Sequence, residues 1–376
     1  MYLKSLQLKQ FRNYQEQQVS FSAPKTILVG DNAQGKSNLL EAVELLATLR
    51  SHRALRDREL VLEGEQIGLV TAVLHREVGV VDLALTLRSN GRRTVSLNGE
   101  ALRRQLDFLG VLNAVQFSSL DLDLVRGSPS ERRNWLDTLL TQLEPVYAYI
   151  LQQYNTVLRQ RNAFLKQRSD SNEGEPTSLE PTQLAIWNAQ LAAIGSRVIR
   201  RRARVLERLA PLAQAWHEAI SDSKEMLEVR YAPNVHLEAD DSDVVQQAFL
   251  QRLEQRSIAE QHQGTTLVGP HRDEVEFTIN QTPARQYGSQ GQQRTLVLAL
   301  KLAELKLIES VVGEPPLLLL DDVLAELDLN RQNKLLETIQ DHFQTLITTT
   351  HLGSFDAQWL KSSQILTVEA GQIVGL

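Results

Sequence analysis

At 376 residues the chain is long enough for two compact units, or for one large unit carrying an insertion. Its 42% hydrophobic and 23% charged residues exclude a wholly disordered chain, and its longest unbroken apolar run, Val146–Leu151, is far short of the roughly 18 residues of a membrane span. With no cysteine, disulfides and thiolate zinc sites are ruled out. The start, Met1 to Tyr14, alternates polar and apolar residues and lacks the apolar stretch of a secretory signal, so a cytoplasmic location is expected. The net charge of −6 is unevenly spread: +4 over residues 1–104, −3 over 105–125, +5 over 126–208, and −6 over each of 209–263 and 264–376. Of the 40 basic residues 30 are arginine, whose planar fork holds phosphates by paired hydrogen bonds, although genome composition alone also raises arginine usage.

In chain order, Leu3–Phe11 and Gln17–Phe21 read as two strands joined by a tight turn at Asn13-Tyr14. Thr26–Val29 is a short apolar strand, and Asn38–Leu49 has helical spacing (Leu39, Leu40, Val43, Leu46, Leu49). Residues 67–98 alternate as strands, with Asn90-Gly91 and Asn98-Gly99 as hairpin turns. From Glu131 the period changes, and Leu136 to Leu158 predicts one long helix. A second helix runs from Leu184 to Ile220, about 55 Å at 1.5 Å per residue. The polar stretch Ser169–Thr182 between them reads as a flexible tip. After an acidic loop, Glu238–Asp243, strands are expected at Gly264–Val268 and Glu274–Ile279, and the chain closes as alternating helix and strand. The expected organisation is an α/β head formed by residues 1–125 and 264–376, interrupted by a helical insertion over 126–263.

Gly30-Asp31-Asn32-Ala33-Gln34-Gly35-Lys36-Ser37 fits the phosphate-binding loop G-x4-G-K-[ST] and falls between the strand and the helix that such a loop requires. Backbone N–H groups at a helix N-terminus favour phosphate, Lys36 adds a point charge, and Ser37 offers a hydroxyl to Mg²⁺. Leu317–Leu320 is a buried parallel strand that ends in Asp321 and Asp322. Asp321 is placed for the Mg²⁺ shell, and Asp322 for orienting and polarising an attacking water. Tyr287–Arg294 precedes a helix, so Ser289 and Gly291 present a second anion-binding helix start. ATP and Mg²⁺ are therefore the expected cofactors.

The order of further pieces resembles the ATP-binding-cassette class. Gln116-Phe117 resembles its Q-loop, Tyr287–Arg294 its signature, Ala325–Asp328 its D-loop and Thr350-His351 its H-loop. That resemblance implies that Gln116 joins the metal shell, that His351 is catalytic, and that Asn38, Ser289, Gly291 and Gln292 contact nucleotide. The whole chain, through LKSLQLKQFRNY, SHRALRDREL, LDLVRGSPSERRNWLD, LRQRNAFL, LVGPHRDEVEF and YGSQGQQRT, resembles the RecF family of bacterial recombination-repair ATPases. It implies an SMC-like head with a short helical arm, DNA binding, an ATP-dependent homodimer, and action with RecR and RecO in directing RecA onto gapped DNA. Most cassette ATPases have Glu where this chain has Asp322; the shorter carboxylate is consistent with slow turnover, and the RecF family shares it.

For DNA, Ser196–Arg208 carries six arginines against one glutamate, with Arg197, Arg201, Arg204 and Arg208 on one face and Arg200 beside them. Arg50, Arg53, Arg56 and Arg58 form a second cluster. Either would make salt-sensitive, sequence-independent phosphate contacts, or else be a solvated face paired with the acidic 209–263 stretch. An ATP-gated DNA clamp with weak, DNA-stimulated hydrolysis is the expected function, and an SMC-like scaffold using ATP only as a binding switch is the alternative.

Overall fold

The computed structural model describes residues 1–54, 56–170, 180–236, 238–339 and 342–375. Most of the polar tip expected over 169–182 lies outside the described residues. The chain opens with strands β1 (Tyr2–Phe11), β2 (Tyr14–Ser20) and β3 (Lys25–Val29), helix α1 (Lys36–Thr48), then β4 (Ile67–Arg76), β5 (Gly79–Arg88), β6 (Arg93–Leu97), β7 (Glu100–Ala101) and β8 (Ala114–Ser118). Next come α2 (Asp123–Arg126), α3 (Pro129–Leu143), α4 (Pro145–Asp170), α5 (Glu180–Ile220), β9 (Leu227–Ala232), α6 (Ser242–Gln263), β10 (Glu274–Ile279), β11 (Thr282–Pro283) and α7 (Ala284–Tyr287). It closes with α8 (Gln290–Val312), β12 (Leu317–Asp321), α9 (Leu329–Ile339), β13 (Thr345–Thr349), α10 (Ala357–Lys361), β14 (Ser363–Glu369) and β15 (Gln372–Gly375). Among the described residues no helix is long and apolar enough to cross a membrane.

Two units form. The first holds Met1–Leu122, Ala215–Glu225 and Gln290–Leu376, the second Asp123–Gln214 and Met226–Ser289. The chain thus re-enters the first unit at Ala215–Glu225 and returns to it for good at Gln290 rather than at residue 264, because β10 pairs antiparallel with β9 from Ile279↔Leu227 to Glu274↔Ala232 and keeps this segment with the insertion.

The first unit has two six-stranded sheets. One is antiparallel, in the order β2-β1-β4-β5-β6-β7. The other, β15-β14-β3-β13-β12-β8, is parallel except at β15. Leu317 to Leu320 are buried, as are Thr345 to Thr349, which is why these strands read as continuous runs rather than alternating ones. Helix α8 buries fourteen of its residues, including Lys301, whose ammonium is held by Asp121 at 2.8 Å and Glu304 at 3.6 Å.

In the second unit two expectations are corrected. The single helix expected through Leu136–Leu158 is two, α3 and α4, because Pro145 disfavours helical geometry at Glu144 and starts a new helix. Residues 264–268 are not a strand, since Gly264 adopts φ 61° and closes α6. That 22-residue helix follows the acidic loop, with Asp241 as its cap: Oδ1 accepts from the N–H groups of Asp243 (2.8 Å) and Val244 (3.1 Å).

Arg202 holds the second unit together from inside. Only 2% exposed, it donates through Nε and Nη2 to both oxygens of Asp137 (2.9 Å each), and through Nη1 to Asp273 Oδ2 (3.1 Å) and to the Pro270 carbonyl (2.6 Å). Tyr147 donates to Asp137 and Tyr231 to Asp273, completing a buried network across α3, α5 and β9. Removing the cation strands two carboxylates out of water, which costs far more than the pair contributes. Arg202→Met should therefore lower unfolding stability by about 3–5 kcal/mol, read as a lower urea midpoint by circular dichroism. An unchanged midpoint would show that the carboxylates find other partners.

Candidate nucleotide site and basic surfaces

Parallel pairing of β3, β13, β12 and β8 brings their carboxyl ends to one edge, the usual place for ligands in an open α/β sheet. The loop after β3 leads into α1 through Gly35, whose φ of 115° suits glycine; a Cβ there would also lie 2.7 Å from Asn13 Nδ2. At Gly30 a Cβ would sit 2.3 Å from the Val368 carbonyl oxygen, so both glycines are sterically required. Asp31, Asn32 and Ala33 are exposed at the loop's crest. The loop is braced from behind. Tyr14 donates to the Gly35 carbonyl (3.0 Å), Asn13 Nδ2 to the Gln34 carbonyl (3.0 Å), and Gln34 Oε1 accepts from the Ala370 N–H (2.6 Å). Asn38 Nδ2 donates to Asn13 Oδ1 (2.8 Å).

Lys36 Nζ reaches back over the loop to the carbonyls of Gly30 and Asp31, 2.7 Å from each. Burial lowers its pKa, against the raising influence of Asp322, Asp321 and Asp31. Ser37 Oγ donates to Asp321 Oδ1 (2.7 Å), and Thr348 Oγ1 to the same oxygen (2.8 Å). The hydroxyl, the first acid and the strand between them are thus joined directly. Asp322 turns into the left-handed region (φ 55°), with its N–H on Thr348 Oγ1 at 2.9 Å. Burial raises the Asp322 pKa, Lys36 opposes this, Asp321 reinforces it and His351 again opposes it. His351 is exposed beyond β13.

Gln116 lies on β8 opposite Leu319 of β12, and its Oε1 is buried with no hydrogen-bond partner in the described structure. A buried carbonyl oxygen without a partner, on the same sheet face as the Asp321 carboxylate that holds the Ser37 hydroxyl, suits a hard cation that takes its other ligands from phosphate and water, so these residues fit Mg²⁺. His52 was not singled out from sequence. Its Nδ1 is 2.6 Å from Glu44 Oε2 and its Nε2 3.1 Å from Gln116 Nε2. Burial opposes charge on this ring, but the Glu44 hydrogen bond, with Glu44, Glu41 and Asp321 as nearby charges, outweighs it and raises the pKa. A histidine shortly after the first helix has no spacing signal, which is why pattern reading passes over it.

In the signature segment Ser289 is exposed. Gly291 lies where a Cβ would meet Arg331 Nη2 at 3.3 Å, and Gln292 Nε2 donates to Glu225 Oε1 at 3.0 Å.

The basic residues divide. Arg50, Arg53 and Arg56 are exposed, with Arg53 Nη1 donating to Asn38 Oδ1 (2.9 Å) at the edge of the phosphate loop. On α5, Arg197 is exposed, Arg200 pairs with Asp240 (2.6 Å), Arg204 also pairs with Asp240, and Arg201 reaches Glu144 (3.1 Å). Pairing with the acidic 209–263 stretch is therefore real for Arg200 and Arg204. Exposed pairs of this kind contribute little to stability.

The sequence matches the family described as RecF/RecN/SMC N terminal domain over residues 2–372. A "DNA replication and repair protein RecF" from Nostoc punctiforme is 73% identical over 374 residues, covering 100% of this chain and 99% of its own. A protein of the same description from Cyanothece sp. is 72% identical over 373 residues, covering 99% of this chain and 98% of its own. The solved "Structure of the recombination mediator protein RecF-ATPrS in RecFOR pathway" superposes with a TM-score of 0.91 at 33% identity, covering 100% of this chain and 98% of that one. An Smc head domain from Pyrococcus furiosus, at 17% identity and a TM-score of 0.56, shares the fold. On these matches, and on a phosphate loop joined through Ser37 to the acid at the end of β12, the chain belongs to the RecF family of SMC-like P-loop heads.

Proposed function

We propose that the protein is an ATP-dependent DNA-binding protein of replication and repair, in which ATP drives two copies together around DNA and slow hydrolysis releases it. The observation that carries this reading is the phosphate loop joined through Ser37 to Asp321, with Lys36 folded back over the loop and a partnerless Gln116 oxygen on the strand next to Asp321. Relatives solved as RecF-ATPrS and RecF-ATP, at TM-scores of 0.91 and 0.90, support ATP as the nucleotide. By the same kinship the protein acts with RecO and RecR in directing RecA onto gapped DNA.

The side chains have separable tasks. Lys36, now on two loop carbonyls, transfers to the terminal phosphates of ATP, while the backbone N–H groups of residues 34–37 and the start of α1 hold the others. Ser37, Asp321 and Gln116 would hold Mg²⁺, which neutralises charge on the phosphates when bound. Asp322 accepts from and orients the attacking water, and His351 faces it from the end of β13. In this reading Ser289 and Gly291, at the start of α8, complete the site of a second copy.

Asp322→Asn preserves shape and removes the charge, so phosphate release should fall by at least about 100-fold while ATP affinity holds and an ATP-bound dimer accumulates. Unchanged turnover would show that another group orients the water. Ser289→Arg should leave ATP binding by one copy intact and abolish ATP-driven dimerisation, measured by light scattering with and without nucleotide. Normal dimerisation of that variant would sink the two-copy site.

The α5 surface gives a third test. Replacing Arg197, Arg200 and Arg204 with Ala removes up to three phosphate contacts of about 0.9 each in the slope of log affinity against log salt. The slope should flatten by roughly one to 2.7 units with ATP affinity unchanged. An unaltered slope would move the DNA surface to Arg50, Arg53 and Arg56.

A further inference from the structure

The loop following α1 is tied to that helix by two carboxylates. Glu41 is fully buried and gripped by Arg12 through Nε (2.8 Å) and Nη2 (2.7 Å), and it also accepts from Ser51 Oγ (2.5 Å). One turn on, Glu44 Oε2 accepts from the His52 backbone N–H (3.4 Å) and lies 2.6 Å from its Nδ1. The His52 ring is therefore fixed at one end.

Its other end meets Gln116. Nδ1 faces a carboxylate, so it carries a proton, while Nε2 stands 3.1 Å from the Gln116 NH₂ group. In the neutral ring, with its proton on Nδ1, Nε2 presents its lone pair and Gln116 donates to it. The Gln116 oxygen is then turned away from the ring, and it is this buried oxygen that has no partner. Pairing with Leu319 of β12 fixes the Gln116 backbone, but the terminal amide torsion is broad and roughly two-fold, so the sheet does not choose between its two faces. A partner that only accepts makes that choice. Ser118, two residues along β8 and so on the same face, pairs with Asp321, so the Gln116 side chain leaves the sheet on the same face as the acid.

We propose that His52 is a positioning residue for the Mg²⁺ site: held by Glu44, it binds the Gln116 NH₂ group and so presents the Gln116 oxygen, rather than its nitrogen, to the cation. This rests on the nucleotide-site reading above. The role belongs to the geometry of a second partner orienting a ligand, where loss commonly weakens metal affinity 10–100-fold.

The test compares two amide replacements in the full chain, using a fluorescent ATP analogue titrated at rising Mg²⁺ and in parallel with EDTA. His52→Asn places an amide where Nδ1 was, keeping Glu44 but not reaching Gln116. His52→Gln places one where Nε2 was, keeping an acceptor for Gln116. The Asn variant should need at least about 10-fold more Mg²⁺ for half-maximal binding, with affinity in EDTA unchanged, and the Gln variant should return to within about 3-fold of wild type. In a Gln116→Ala background His52→Asn should add no further loss. If the Asn variant behaves as wild type and the Gln variant fails, His52 merely anchors its loop and the proposal is overturned. Equal losses with and without Mg²⁺, or additive losses with Gln116→Ala, overturn it as well. Wild-type binding that ignores Mg²⁺ would instead sink the nucleotide-site reading itself.

Discussion

Asp321 is held from two sides by hydroxyls, Ser37 Oγ at 2.7 Å and Thr348 Oγ1 at 2.8 Å, both on the same carboxylate oxygen. Ser37 belongs to the phosphate loop and Thr348 to the central strand β13, so this one oxygen ties together the carboxyl edges of three adjacent parallel strands. The arrangement exists only because β3, β13 and β12 lie side by side, with Thr348 in register with both Leu28 and Asp321. A shift of one residue in any of these pairings would turn a donor to the other face of the sheet. The hydrophobic strands are thus what gives the polar contact its position: Leu317–Leu320 and Ile27–Leu28 are buried, and the charged or hydroxyl-bearing residues come where each strand runs out.

The same edge explains why Asp322 departs from ordinary backbone geometry. Once Asp321 is fixed by Ser37 and Thr348, the chain must turn sharply to leave the sheet, and a non-glycine residue at φ 55° carries a cost on the order of 1 kcal/mol. Its N–H is nevertheless paired with Thr348 Oγ1 at 2.9 Å, so one threonine hydroxyl serves both acids. Beyond that turn the Asp322 carboxyl is influenced by Lys36, by Asp321 and by His351. Two adjacent aspartates thereby acquire different surroundings, one bonded by two hydroxyls and one under the influence of Lys36 and His351.

Much of this was legible because the signals are local. The phosphate loop, the apolar run before Asp321-Asp322 and the hairpin turns at Asn90-Gly91 and Asn98-Gly99 each announce themselves within a few residues, and each falls where expected. What pattern reading lost depended on distant partners or weak periodicity. Helix α6 carries only a sparse apolar stripe of Val245, Phe249 and Leu253, so its caps at Asp241 and Gly264 were the better signal. Strand β9, Leu-Glu-Val-Arg-Tyr-Ala, does alternate apolar and polar residues, but over only six positions, and its partner β10 lies more than forty residues away. His52 matters only through residues 8 and 64 positions away.

The arginine run on α5 shows where composition misleads and periodicity corrects it. Taken as a block, six arginines in Ser196–Arg208 read as one basic surface. At about 100° per residue, Arg197, Arg200, Arg201, Arg204 and Arg208 fall within an arc of roughly 100°, and Arg202 lies on the opposite side. The structure follows this wheel: Arg202 is buried between Asp137 and Asp273, while the others are exposed or half-buried. The two groups obey different physics. A buried arginine with two carboxylates is fixed by what its loss would strand, so its charge is unavailable to any partner. Arg200, Arg201 and Arg204 instead hold Asp240 and Glu144 through solvated pairs of small net worth. The net charge of −6 therefore does not describe this helix, where the exposure of each arginine follows its place on the helical wheel.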